Sequence, residues 1–310
     1  MNRRDFLALA AVTPFAVRRL GAPPRALVTC DTEAKLAVVD LGSYRVVEKI
    51  AVLPDPRSIE LVGEHAVLCH TAVGAVSILD ATGRVRHVVR GFVEPRYTAA
   101  APGGRIAFVT DSGRSSVAAV DVLHGTLLGR VRLREWARHV TLAGDRLWVG
   151  LGSASPDVAV VDISRPEDLR HVATVTPPFP AHDVGAAPDG RIWVTSGAER
   201  RLAIYDRHGR LQRSLPADLA PQHVTFGRGV AFVTSGDSGT LKVQRLADGY
   251  VLRDAPVPVG SYNVQSGAGR VLTPSLDRGT LVVAGPSGAV LARVQVADSC
   301  HDACFAPGLT

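Results

Sequence analysis

Two adjacent columns of polar side chains recur down this 310-residue chain at intervals of roughly 40 residues. The first reads Arg57, Arg96, Arg138, His182, Gln222, Tyr262 and His301, and the second Ser58, Tyr97, His139, Asp183, His223, Asn263 and Asp302. A third lies beside them: Cys30, His70, Asp111, Leu151, Ser196, Ser235 and Pro274. Arg57, Arg96 and Arg138, with His139 and Tyr262, suit a small anion, because a guanidinium forks a carboxylate or phosphate through paired N–H donors. His182, His223, His301 and Asp111 suit a divalent metal, held through imidazole nitrogen and carboxylate oxygen. His182, Asp183, His223, His301 and Asp302 are candidates for general acid–base work. A wet surface also collects polar groups, and a neutral His beside an Asp is often an ordinary hydrogen-bonded pair. Five of the ten histidines nonetheless fall in these columns, more than solvation alone demands.

The columns are positioned by a repeat of short apolar runs separated by Gly, Asp and Arg turns, which is strand and turn chemistry. Pro180–Arg210 is its clearest copy: a run at Val184, the turn Ala187-Pro188-Asp189-Gly190, then Ile192–Thr195, then Leu202–Tyr205. Aligning the end of each second run gives Thr29, Cys69, Thr110, Gly150, Thr195, Thr234 and Thr273, spaced by 39 to 45 residues. Four strands in about 41 residues is the period of a propeller blade, and no helical pattern competes with it. The chain therefore reads as all-β, a seven-bladed β-propeller of four-stranded blades. The first copy lacks an inner strand, and the segment around His301-Asp302 supplies one, so the C-terminal strand closes the ring on the first blade. Closure pairs an edge that is otherwise open. In such a ring the first two columns crowd the mouth of the central channel.

The blade motif Phe108-Val109-Thr110, Trp193-Val194-Thr195 and Phe232-Val233-Thr234 resembles the YVTN repeat of YncE-like seven-bladed propellers, over roughly Pro24 to Pro307. That family implies the fold and leaves function open, since such propellers include binders, hydrolases, lyases and cofactor proteins. Asn2-Arg3-Arg4-Asp5-Phe6-Leu7 resembles the twin-arginine export motif, followed by an apolar run too short to span a membrane. Residues 1–23 thus read as a signal peptide and 24–310 as one propeller domain, periplasmic or extracellular.

Export permits disulfides, and Cys30 and Cys300 are the candidate pair, a staple across the ring closure. Trp136, Trp148 and Trp193 read as packing between blades. The net charge of +6 comes almost wholly from scattered arginines, with only three lysines. Without a dense basic run it does not point to nucleic acid. The expected function is binding of a small anion or a protein partner at the channel mouth by a monomer, with no certain cofactor. The alternative is a metal-assisted lactone hydrolase or lyase at the same mouth, with a divalent metal. Against catalysis stands the absence of G-x-S-x-G and H-E-x-x-H constellations and of an obvious glutamate at the mouth.

Overall fold

A computed structural model describes residues 24–152 and 155–306. The export motif lies outside the described residues. Seven four-stranded antiparallel sheets form the ring, as the repeat predicts. Their inner strands are Pro56–Val62, Pro95–Ala100, Val140–Ala143, Ala181–Ala186, Gln222–Gly227, Gln265–Gly267 and, in the first blade, Ala303–Ala306. The closing strand pairs with Arg25–Cys30 in the register Arg25↔Ala306 to Val28↔Ala303. The Thr29 N–H extends this ladder to the Asp302 carbonyl at 2.9 Å.

The core lies between blades. One cluster joins Phe108 and Val117 of the third blade to Leu147, Val149 and Val161 of the fourth. Another joins Leu27 and Leu36 of the first to Ile59, Leu68 and Leu79 of the second. The middle strands are covered on both faces, so they read as continuous apolar runs such as Ala66–Cys69, all four residues buried. Outer strands such as Arg170–Val175 are largely exposed. Each fully buried Leu or Ile contributes about 1.5–3 kcal/mol, so each interface between blades is substantial.

The recurring threonine has a structural role the repeat alone does not explain. The Thr195 hydroxyl accepts the Asp183 N–H of its own blade at 3.0 Å and donates to the Gln222 carbonyl of the next at 2.6 Å. Thr110 does the same between Tyr97, at 3.0 Å, and Arg138, at 2.5 Å, and Thr29 between Asp302, at 2.9 Å, and Arg57, at 3.1 Å. Thr234 donates to Tyr262. These four threonines therefore fix the backbone of the mouth columns, blade to blade, whereas the Thr273 hydroxyl is buried without a partner among the described residues.

Candidate functional site

Three of the inner strands do not begin with regular pairing, whereas Gln222–Gly227 pairs in register from its first residue. The register slips between Pro56 and Ile59, Pro95 and Thr98, and Ala181 and Val184. Such a bulge places two neighbouring residues against one partner and re-aims their side chains. Successive residues of an extended strand point to opposite sides, so the two columns part. Arg57, Arg138, His182, Tyr262 and His301, from the first, line a cavity of about 210 Å³ at the mouth. Tyr97, His139, Asp183, His223, Asn263 and Asp302, from the second, line a cavity of about 240 Å³ deeper in the channel. Tyr97, His223 and Asn263 border both cavities and form the septum between them.

At that septum three imidazoles from consecutive blades meet. One ring nitrogen each of His139, His182 and His223 falls within 4.8 Å of the others, and all three residues are buried. Nε2 of His182 stands 3.2 Å from Nε2 of His223, close to the N···N edge of about 3.3 Å in a tetrahedral centre with metal–nitrogen bonds of 2.0–2.1 Å. The His139 Nδ1 donates to the His182 carbonyl at 2.7 Å. A carbonyl only accepts, so this bond fixes the tautomer and leaves His139 Nε2 a bare lone pair. That atom is buried with no hydrogen-bond partner. Asp183 Oδ2 lies 3.6 Å from His223 Nδ1, beyond hydrogen-bond range. The triad could hold a metal.

Burial, with the nearby Arg138 guanidinium second, pushes His182 down to about 3. Burial and the neighbouring histidines hold His139 and His223 well below the usual imidazole range. All three are neutral at pH 7, the state a metal requires. The carboxyls shift the other way: burial lifts Asp183 and Glu60 to about 7 and Asp302 well above its ordinary range.

The metal set expected from sequence, His182, His223, His301 and Asp111, is not the set that converges. His139 completes the triad. His301 sits beyond Tyr97, its ring 6.5 Å from the tyrosine ring, and its Nδ1 donates to the Arg57 carbonyl at 3.0 Å. Asp111 is sealed inside the third blade, accepting the Val93 and Glu94 N–H groups and pairing with Arg130. His70 is also away from the lumen, bonded to Ser77 at 2.9 Å. Asp183 and Asp302 are inter-blade clasps: their carboxylates accept the Val224 N–H at 2.9 Å and the Ile59 N–H at 3.1 Å, each also taking the N–H of its own successor.

The arginines separate as well. Arg57 pairs with Asp31 and Asp55, and Arg96 with Glu94. Among the described residues Arg138 has no carboxylate within 4.0 Å, and its Nε is buried without a partner. Arg96 of the third blade and Arg138 of the fourth both lie against the Trp136 ring, at 5.8 and 5.9 Å, so that tryptophan sits between two blades at the mouth. Tyr262 donates to Asp237 at 2.6 Å. All four cysteines are buried and unbonded, with Cys30 and Cys300 in one core cluster and in side-chain contact with each other.

Glu60 is the functional-site residue the sequence reading passed over. It lies two residues beyond Ser58, hence on the same face of its strand, and the same step from the second column reaches Thr141, Thr225 and Gln265 of this lining. That period-two signal was legible once the column was aligned.

No helix among the described residues is long and apolar enough to cross a membrane. No family model matches the chain, and no curated protein matches it. Solved structures do. Hydrazine synthase of Kuenenia stuttgartiensis is 15% identical, with a TM-score of 0.71 over 83% of this chain and 91% of that one. A functionally unknown protein from Desulfotomaculum acetoxidans DSM 771 is 11% identical, with a TM-score of 0.77 over 91% and 98%. Dihydro-heme d1 dehydrogenase NirN in complex with DHE is 14% identical, with a TM-score of 0.63 over 92% of this chain and 68% of that one. At such identities the likeness establishes a shared propeller fold and leaves the chemistry to the channel residues of this chain.

Proposed function

We propose that this propeller binds a small oxyanion at its channel mouth, over a divalent transition-metal ion held by His139, His182 and His223. The observation that carries the reading is the bare Nε2 of His139, buried within 4.8 Å of two further neutral imidazoles. Three imidazoles leave a fourth coordination position open, as in sites that bind water or substrate. Imidazole donors suit zinc, copper, cobalt or nickel better than calcium or magnesium. Arg138, without a carboxylate partner and beside His182 and His223 in the mouth cavity, supplies the charge for an anion such as a carboxylate or phosphate. His182 and His301 add neutral ring nitrogens at the same mouth.

Binding is favoured over hydrolysis because Asp183 and Asp302, the carboxyls a hydrolase would use as base, are each committed to two backbone N–H donors. We read the start of the chain as an export signal, which places this binding outside the cytoplasm.

The test is elemental analysis of protein purified without chelator, followed by calorimetric titration with inorganic phosphate. One metal per chain, lost in His139→Gln, together with phosphate affinity about 10-fold weaker in Arg138→Gln, is the expected result. Metal-free protein that binds neither Zn²⁺ nor Co²⁺ above micromolar affinity would refute it.

A further inference from the structure

The channel is electrically polarised about the three imidazoles. The mouth cavity is lined by Arg57 and Arg138 and by no carboxylate. The deep cavity is lined by Glu60, Asp183 and Asp302 and by no lysine or arginine. The triad straddles the boundary: His182 borders only the mouth, His139 only the deep cavity, and His223 both. The unpartnered Nε2 belongs to the imidazole that faces the carboxylates.

A dication approaching past the Arg138 guanidinium, which has no carboxylate within 4.0 Å among the described residues, meets repulsion in a narrow, low-dielectric passage, whereas an ionised Glu60 on the opposite wall attracts it, and a charged cleft focuses such fields. The oxygen atoms a hard, hydrated ion exchanges for its water are also on that side. Glu60 offers its carboxylate, held by the Leu61 N–H and the Gln265 amide, both at 3.2 Å. Thr98, Thr141 and Thr225 complete the wall.

Resting on the metal reading above, we propose that the deep cavity is the cation's entry vestibule: a divalent ion reaches the imidazoles past Glu60, from the end opposite the arginines. The anion and the metal then arrive from opposite ends of one channel. Ligand at the mouth would then not block metal exchange.

The experiment is stopped-flow uptake of Co²⁺ by metal-free full chain, followed by the visible absorption of the imidazole-bound ion. It is run at low ionic strength and pH 8, where Glu60, lifted to about 7, is ionised. Glu60→Gln removes the vestibule's charge without changing its shape. Uptake about 10-fold slower, with a weaker dependence on salt and unchanged Co²⁺ stoichiometry, is expected. Glu60→Ala serves as a second variant if the first does not fold. Uptake at the wild-type rate in either variant overturns the vestibule while leaving the metal site standing. Failure of the wild-type protein to take up Co²⁺ at all removes the metal reading, and this inference with it.

Discussion

Glu60→Gln also makes the most quantitative claim about stability. Burial in the channel wall raises this carboxyl from its ordinary 4.5 to about 7, against the opposing pull of the Gln265 and Leu61 donors. The folded state therefore holds the proton more tightly than the unfolded chain does. The stabilisation this confers is fully present below pH 4.5 and is lost as pH rises to about 7. At about 1.4 kcal/mol per unit, the shift is worth about 3 kcal/mol. Part of the side chain touches the water-accessible lumen, which screens it and brings the expectation to about 2 kcal/mol. Glutamine keeps an acceptor for the Leu61 N–H and cannot ionise. In metal-free protein the variant should gain about 2 kcal/mol on wild type between pH 4.5 and pH 8, or about 5 °C in melting temperature. Guanidinium unfolding at the two pH values measures it. A difference that stays constant across that range would show that Glu60 is solvated like a surface carboxyl and that the deep cavity is not a low-dielectric wall.

Other consequences are direct. Thr195→Val removes a buried hydroxyl that both accepts from Asp183 and donates to Gln222, so chemical denaturation should show a loss of about 1–3 kcal/mol. Equal stability would deny the blade-to-blade role of the motif threonine. Deleting residues 299–310 strips the inner strand from the first blade and the Asp302 clasp from Ile59. The melting temperature should fall by about 10 °C or more, and a truncated chain that melts with the full one would place ring closure elsewhere. Cys30 and Cys300 lie in side-chain contact, so oxidised protein, unfolded without reductant, should titrate two thiols and reduced protein four; four in both would remove the staple across the closure.

The blades were legible because their cause is local. Runs such as Phe232–Thr234 between glycine turns favour strands by their own chemistry, and a period near 41 residues needs only repetition to be seen. Closure by the segment after His301 followed from counting strands. The columns were legible too, since a residue's place in its repeat determines its place in the ring.

Which members of a column meet is a different matter. His139 and His301 sit in adjacent columns, one residue apart in the repeat, yet His139 joins a triad while His301 lies against the Arg57 carbonyl. Arg57 and Arg138 share one column, but Asp31 and Asp55 neutralise the first while the second has no carboxylate partner. These outcomes turn on distances of an ångström or two between side chains on different blades, set by strand register and by the shape of the lumen. The sequence by itself determined the repeat, the ring and the two columns of polar side chains. Only the tertiary structure decided that three imidazoles converge between an arginine end and a carboxylate end, because that depends on non-local packing that no spacing along the chain encodes.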